Sequence, residues 1–245
     1  MRIEYLINLP EVTLICIEQR DPLLGMKVLT HCKKEIKFAS EFLLSHQEPY
    51  GLKTGEIPDF DKNIWYGKIP NTSWEQYNDF VCKELINRVQ TEFVLLVQAD
   101  GFIVNPQLWK PEFLEYDYIG APWPDDEEWC NRQHPNHQKF YKGNRANCRV
   151  GNGGFSLRSK KFLELSSKLP SCVPHGEDYY LCVMNNQYMR DNGVKFPSVE
   201  LALSFSIENP VKEIGASWNE TNHLNFNTRK SFGFHGTILS DYKIL

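Results

Sequence analysis

A chain of 245 residues, 41% of them hydrophobic, is long enough for one sizeable α/β domain or two small ones. The formal net charge of −4 and the lack of a basic tract argue against wrapping naked nucleic acid. No apolar run approaches the ~20 residues of a membrane span, which leaves peripheral association as the route to a membrane. The opening stretch, MRIEYLINLPEV, lacks the pattern of a signal peptide.

The seven cysteines are odd in number and include no Cys-x-x-Cys pair. Cys16 lies in the apolar context Leu14-Ile15-Cys16-Ile17. The pattern is that of reduced thiols, and the expected location is cytoplasmic.

Residues 12–17 read as a first buried strand. Asp21-Pro22 then opens a helix over 23–32, with Leu24, Val28 and Cys32 on one face. A second strand is expected over 36–42, which completes a βαβ unit with a right-handed crossover. Residues 47–70 are rich in Gly, Pro, Asp and Lys, so a loop is expected there, with a short strand over 63–67. Ser73 caps a helix over 74–90 whose core face would hold Tyr77, Val81, Leu85 and Val89.

The stretch around which the chain is organised follows. Phe93, Val94, Leu95, Leu96 and Val97 are an unbroken apolar run, the mark of a strand buried on both faces. It stops at Gln98-Ala99-Asp100-Gly101. A carboxylate at the carboxyl end of such a strand sits where open α/β sheets place ligands. Asp-Gly is equally a common turn pair.

Beyond it, Tyr116, Tyr118 and Trp123 lie close to Asp117, Asp125 and Asp126. Residues 127–149 are polar and read as a surface loop. They carry Cys130, His134, His137 and Cys148, whose spacing fits no established zinc pattern. Next comes Gly151-Asn152-Gly153-Gly154, glycines that permit close backbone approach to a ligand. Their spacing is not that of a dinucleotide fingerprint. Residues 155–158 read as a strand, and Ser159 caps a helix to about residue 169. Gly176-Glu177-Asp178 leads into a helix over 179–190, with two acids where the helix dipole favours them. Residues 195–207 look strand-like, with Leu201, Leu203 and Phe205 alternating. His235 closes the series between Phe234 and Gly236.

In this order the motifs resemble a GT-A glycosyltransferase. The closer resemblance is to the DUF5672 family. It is carried by Phe93-Val94-Leu95 with Gln98-Ala99-Asp100-Gly101, by Tyr116-Asp117-Tyr118-Ile119-Gly120-Ala121-Pro122-Trp123, and by Gly151-Asn152-Gly153-Gly154-Phe155-Ser156-Leu157-Arg158. Glu177-Asp178 and Phe234-His235-Gly236 complete it. The resemblance implies a single GT-A-like α/β domain over 1–245, with a mixed, mostly parallel central sheet flanked by helices. Residues to about 105 would form a nucleotide-binding half and the remainder an acceptor-binding half.

It further implies transfer of a sugar from a nucleoside diphosphate sugar to a glycan or polysaccharide hydroxyl. Gln98, Asp100, Gly101, Gly153, Gly154 and Arg158 would meet the donor. Asp100 and His235 would hold Mn²⁺ or Mg²⁺. Glu177 and Asp178 form the catalytic pair, with Asp178 as general base in an inverting reaction. Gln98 departs from the Asp-x-Asp of GT-A enzymes, because an amide supplies oxygen without charge. Two other readings stand beside this one. One is a non-catalytic nucleotide-sugar or glycan-binding module. The other is a metal-dependent nuclease or nucleotidyltransferase using Asp100, Glu177 and Asp178, which the acidic balance disfavours.

Overall fold

The apolar run Phe93–Val97 is an interior strand, β4, of a six-stranded sheet. The computed structural model describes residues 7–48, 63–70, 72–125, 127–133, 135, 137–138, 148–215 and 231–236. The other strands of this sheet are β1 Ile7–Ile17, β2 Ile36–Ser45, β3 Trp65–Lys68, β5 Tyr118–Gly120 and β6 Ser156–Ser159. Their order is β3-β2-β1-β4-β6-β5. β3, β2, β1 and β4 are mutually parallel, and β6 runs antiparallel to both of its neighbours. The expected mixed, mostly parallel sheet with flanking helices is therefore the fold. A small parallel pair, β7 Ser206–Ile207 and β8 Gly233–Phe234, stands apart from it.

Both faces of the central strands are buried, as a nearly continuous apolar run requires. Leu14 and Cys16 of β1 and Leu95 and Val97 of β4 face one core with Met26, Leu29, Phe113 and Phe205. Ile15, Ile17, Val94 and Leu96 point the other way, onto Val81, Leu85 and Leu163. Truncating a core residue such as Leu95 to Ala would cost about 2–5 kcal/mol.

Local chemistry sets the helix starts. α1, Pro22–Cys32, begins where the Asp21 side chain accepts from the Leu24 N–H and Pro22 supplies the first-turn φ. α2, Trp74–Lys83, begins with a reciprocal capping box between Ser73 and Gln76. It ends earlier than expected and tightens into a 3₁₀ turn, Leu85–Arg88, which still buries Leu85 while the chain reverses into β4.

Three other expectations need correction. The first strand starts at Ile7, before the expected 12, and its register against β2 shifts between Leu9 and Thr13, around Pro10. Residues 127–149 are not all loop, since α3 spans Glu127–Arg132. Strand-like residues 199–205 form a helix instead, Val199–Phe205. Ser198 caps it by accepting from Leu201 N–H, and Ala202 and Phe205 bury one helical turn apart. Leu201 and Phe205, four residues apart, share one face of that helix against the main core, while Leu203 packs on another side with Ile207 and Val211.

The remaining helices are α4 Lys160–Lys168, α5 Glu177–Tyr179 and α6 Asn186–Asp191. In chain order the 199–205 helix is α7. A π turn, Tyr180–Met184, separates α5 from α6, where one continuous helix was expected.

This connectivity places the site. From β1 the chain crosses through α1 to β2 on one side. From β3 it returns through α2 to β4 on the other side of β1. The direction of winding therefore switches between β1 and β4, and the crevice beyond their carboxyl ends is where such sheets bind ligands.

Candidate active site

A cavity of about 320 Å³ opens at that switch point. Ile17 to Arg20 line it from the end of β1, Gln98 and Asp100 from the end of β4, and Thr72 to Trp74 with Tyr77 from the start of α2. Gln19 and Thr72 close one wall, the Gln19 side chain donating to Thr72 Oγ1 and accepting from the Thr72 N–H. Arg20 is the cation of the lining, its side chain 85% exposed and 3.7 Å from Glu18.

Gln98-Ala99-Asp100-Gly101 is a tight turn, closed by backbone bonds in both directions between Gln98 and Gly101. The segment 231–236 runs alongside the residues after this turn. Ile103 bridges to Gly233, and Gly236 N–H donates to Asp100 O at 2.8 Å. That pairing carries His235 to the end of β4. Its Nε2 lies 3.6 Å from Asp100 Oδ1 and 3.2 Å from Gln98 Oε1. The Gln98 amide nitrogen donates to the Tyr77 hydroxyl at 2.6 Å, which turns its oxygen toward His235.

Sequence reading missed Glu208. Its carboxylate is 3.1 Å from His235 Nδ1 and fixes the ring so that Nε2 faces Asp100. Burial lowers the His235 pKa, but the hydrogen bond and charge of Glu208, with Asp100 and Asp178, raise it to a net value above the ordinary one. No local signal marks Glu208, because the contact depends on β7 pairing with β8.

Donor atoms ~2.0–2.6 Å from a shared divalent ion stand roughly 3–5 Å apart. The spacings of Asp100, Gln98 and His235 fall in that range, and two hard oxygens with one imidazole nitrogen suit Mn²⁺ or Mg²⁺. Among the described residues no group of three or more His, Cys, Asp and Glu could hold a metal. The site would therefore rest on the Gln98 amide and on oxygens brought by a ligand. The zinc arrangement weighed for 127–149 does not form among them either. Cys130 and Cys148 are buried thiols, His137 stacks on Tyr179, and His134 lies outside the described residues.

The two adjacent acids separate completely. Glu177 is buried, and its oxygens take both terminal nitrogens of Arg158 at 2.8 and 2.9 Å. Arg158 is itself fully buried. It also donates to Ser156 Oγ and Gly153 O and lies over the Tyr118 ring. Two site expectations are corrected here. Arg158 has no face left for a phosphate, and Glu177 holds the fold behind the site without reaching the cleft.

Asp178 is half-buried and bounded by backbone. Oδ2 accepts from Gly153 N–H at 3.2 Å and Oδ1 from Tyr179 N–H at 2.7 Å. Burial and the neighbouring Glu177 charge push its pKa up to about 7, against the lowering effect of those two N–H groups. The helix start was expected to lower it. α5 has only three residues before the π turn, and desolvation wins.

The glycines too serve the protein's own side chains. A Cβ on Gly153 would collide with Glu177 Oε1, and one on Gly154 with His235 Nε2. A Cβ on Gly101 would lie 2.8 Å from His235 Cδ2 and 2.9 Å from Gly154 O. Gly101 and Gly154 thus make the slot that holds the imidazole. They were expected to face a ligand, and their open space is instead filled by the site's own residues.

The profile of the family described as a protein of unknown function (DUF5672) matches residues 67–235. The chain belongs to the DUF5672 family. No curated protein matches this DUF5672 chain in sequence. Among solved structures, it aligns with the galactosyltransferase LgtC in complex with donor and acceptor sugar analogues at 13% identity and a TM-score of 0.44. An active-site mutant of LgtC aligns at 11% identity and a TM-score of 0.45. Both alignments cover 91% of this chain and 86% of the other.

Proposed function

We propose that this DUF5672 protein is a glycosyltransferase that moves a sugar from a nucleoside diphosphate sugar to a glycan hydroxyl, with inversion. The observation that carries the reading is one convergence. Gln98 and Asp100 line a switch-point cavity and meet His235, while Asp178 accepts from Gly153 N–H, next to the Gly154 that packs on His235. The family motifs quoted above support it.

The donor nucleotide lies in the cavity, with Arg20 on its diphosphate in the role first expected of Arg158. Asp100, Gln98 and His235 would hold Mn²⁺ or Mg²⁺, which supplies Lewis-acid stabilisation of the departing diphosphate. Asp178 takes the proton of the acceptor hydroxyl as that oxygen bonds to the anomeric carbon. The bond from that carbon to the diphosphate breaks, and its electron pair leaves with the diphosphate. A carboxylate with a pKa of about 7 is a far better base than an ordinary one and is still about half ionised at neutral pH. Glu177 and Arg158 act behind the site by holding Gly153 and the start of α5 in place.

The test is a screen of nucleoside diphosphate sugars in Mn²⁺, reading nucleoside diphosphate release with and without glycan acceptors. The expected outcome is release from one donor class, abolished in Asp100→Asn. Tight binding without turnover would make the protein a binding module. Cleavage of nucleic acid in place of the donors would make it a nuclease.

A further inference from the structure

Trp74 is the first residue of α2, and its side chain is 57% exposed. An exposed indole offers a ready stacking surface to a ligand ring. It lines the cavity together with Asp100 and Gln98.

Its other side meets the acid loop. A Cβ placed on Gly176 would lie 3.1 Å from Asp178 Oδ1 and 3.6 Å from the nearest Trp74 ring atom. The bare glycine thus lets the Asp178 carboxylate and the Trp74 ring pack close to the same backbone position. Asn78, a buried residue of α2, ties the two segments together. Its amide nitrogen donates to Trp74 O at 2.7 Å, and its amide oxygen accepts from Glu177 N–H at 2.8 Å.

We propose that Trp74, Gly176 and Asp178 form a subsite for one pyranose ring of the acceptor. The ring lies on the indole and presents a hydroxyl to the Asp178 carboxylate. A pyranose has a face of C–H groups and a rim of hydroxyls, which is the chemistry that an aromatic face beside a hydrogen-bond acceptor takes. A nucleobase would also stack on an indole. The carboxylate at the edge of this platform favours a hydroxyl-bearing ring, and Arg20 would draw the diphosphate to the rest of the cavity. The inference rests on the transferase reading and adds where the acceptor binds.

The experiment uses saturation-transfer NMR on the full chain. Methyl glycosides of glucose, galactose, mannose and N-acetylglucosamine are titrated in the presence of a nucleoside diphosphate. Wild type, Trp74→Phe and Trp74→Ala are compared, with circular dichroism to establish that the fold is kept. The expected result is saturable binding of at least one glycoside in wild type, weakened roughly tenfold in Trp74→Ala and partly restored in Trp74→Phe. Because Trp74 also lines the cavity, nucleoside diphosphate affinity changes too, but by less than glycoside affinity in both variants. Equal glycoside affinity in Trp74→Ala, or no glycoside binding by wild type, overturns the proposal. A fall in nucleotide affinity as large as the fall in glycoside affinity also overturns it, by making Trp74 a platform for the base. Glycoside binding at Trp74 in a protein that leaves every nucleoside diphosphate sugar intact would keep the subsite and remove the transferase reading.

Discussion

Glu177 and Asp178 are consecutive residues in opposite surroundings. Glu177 faces inward, meets a buried guanidinium with both oxygens, and is closed to solvent. Asp178 is half-buried, accepts from two backbone N–H groups, and has its pKa pushed up to about 7. One peptide bond thus divides a structural ion pair from the proposed chemical group. Two identical charges on one helical turn do different work when only one of them has a buried partner.

Asp178→Asn tests the chemical side and carries the largest expected effect. It nearly preserves shape and removes basicity, so kcat for sugar transfer should fall by ~10²–10⁴-fold with nucleotide affinity unchanged. A variant that transfers at the wild-type rate would end the general-base assignment.

Glu177→Gln tests the structural side. Removing one member of a buried ion pair leaves Arg158 charged without its partner, a loss of about 3–5 kcal/mol. A lowered urea midpoint should appear, with kcat per folded molecule largely retained. If kcat collapses while stability holds, the roles of the two acids are reversed.

Glu208→Gln asks whether the imidazole on the open side is positioned in the way the buried pair is. Loss of an outer carboxylate from a metal-binding His typically costs 10–100-fold in metal affinity. Mn²⁺ titration followed by electron paramagnetic resonance should show a fall in that range, and EDTA should reverse wild-type binding. Equal Mn²⁺ affinity in the variant would free Glu208 from this role.

The pH profile gives the smallest effect and sharpens the same contrast. The base works ionised, so kcat/KM should rise about tenfold per pH unit up to about 7 and then level. Asp178→Asn should lose that limb, and Glu177→Gln should keep it but shift it to lower pH, because the Glu177 charge helps to raise the Asp178 pKa. For stability the sign is opposite. The Asp178 pKa is raised in the folded state, so the native protein holds this proton more tightly than the unfolded chain. The Asp178 contribution to stability is present at low pH and is lost as pH rises from about 4 to 7.

Much of the fold was legible along the chain because its causes are local. Burial on both faces wrote Phe93–Val97 as an apolar run, Asp21-Pro22 and Ser73 marked helix starts, and Asp100-Gly101 marked a strand end. Residues 199–205 were misread because the helix is buried on two sides, which spreads its apolar residues into an alternating pattern, and the Ser198 cap was the deciding local signal. The π turn at Tyr180–Met184 has no such signal, so the expected helix ran on through it.

The amino-acid order alone marked Asp100, Asp178 and His235 as candidates for chemistry, and placed Asp100 at the end of a buried strand. Tertiary structure decided how they are used. Pairing of the 231–236 segment beside residues 102–105 brought His235 to Gln98 across 137 positions. The reversal of β6 against β4 buried Arg158 where Glu177 could neutralise it, and so withdrew both from the cleft. The physical reason is range. Caps, turns and burial periods act within a few residues. Whether a charge is paired, desolvated or open depends on strands and loops that meet only once the sheet has formed.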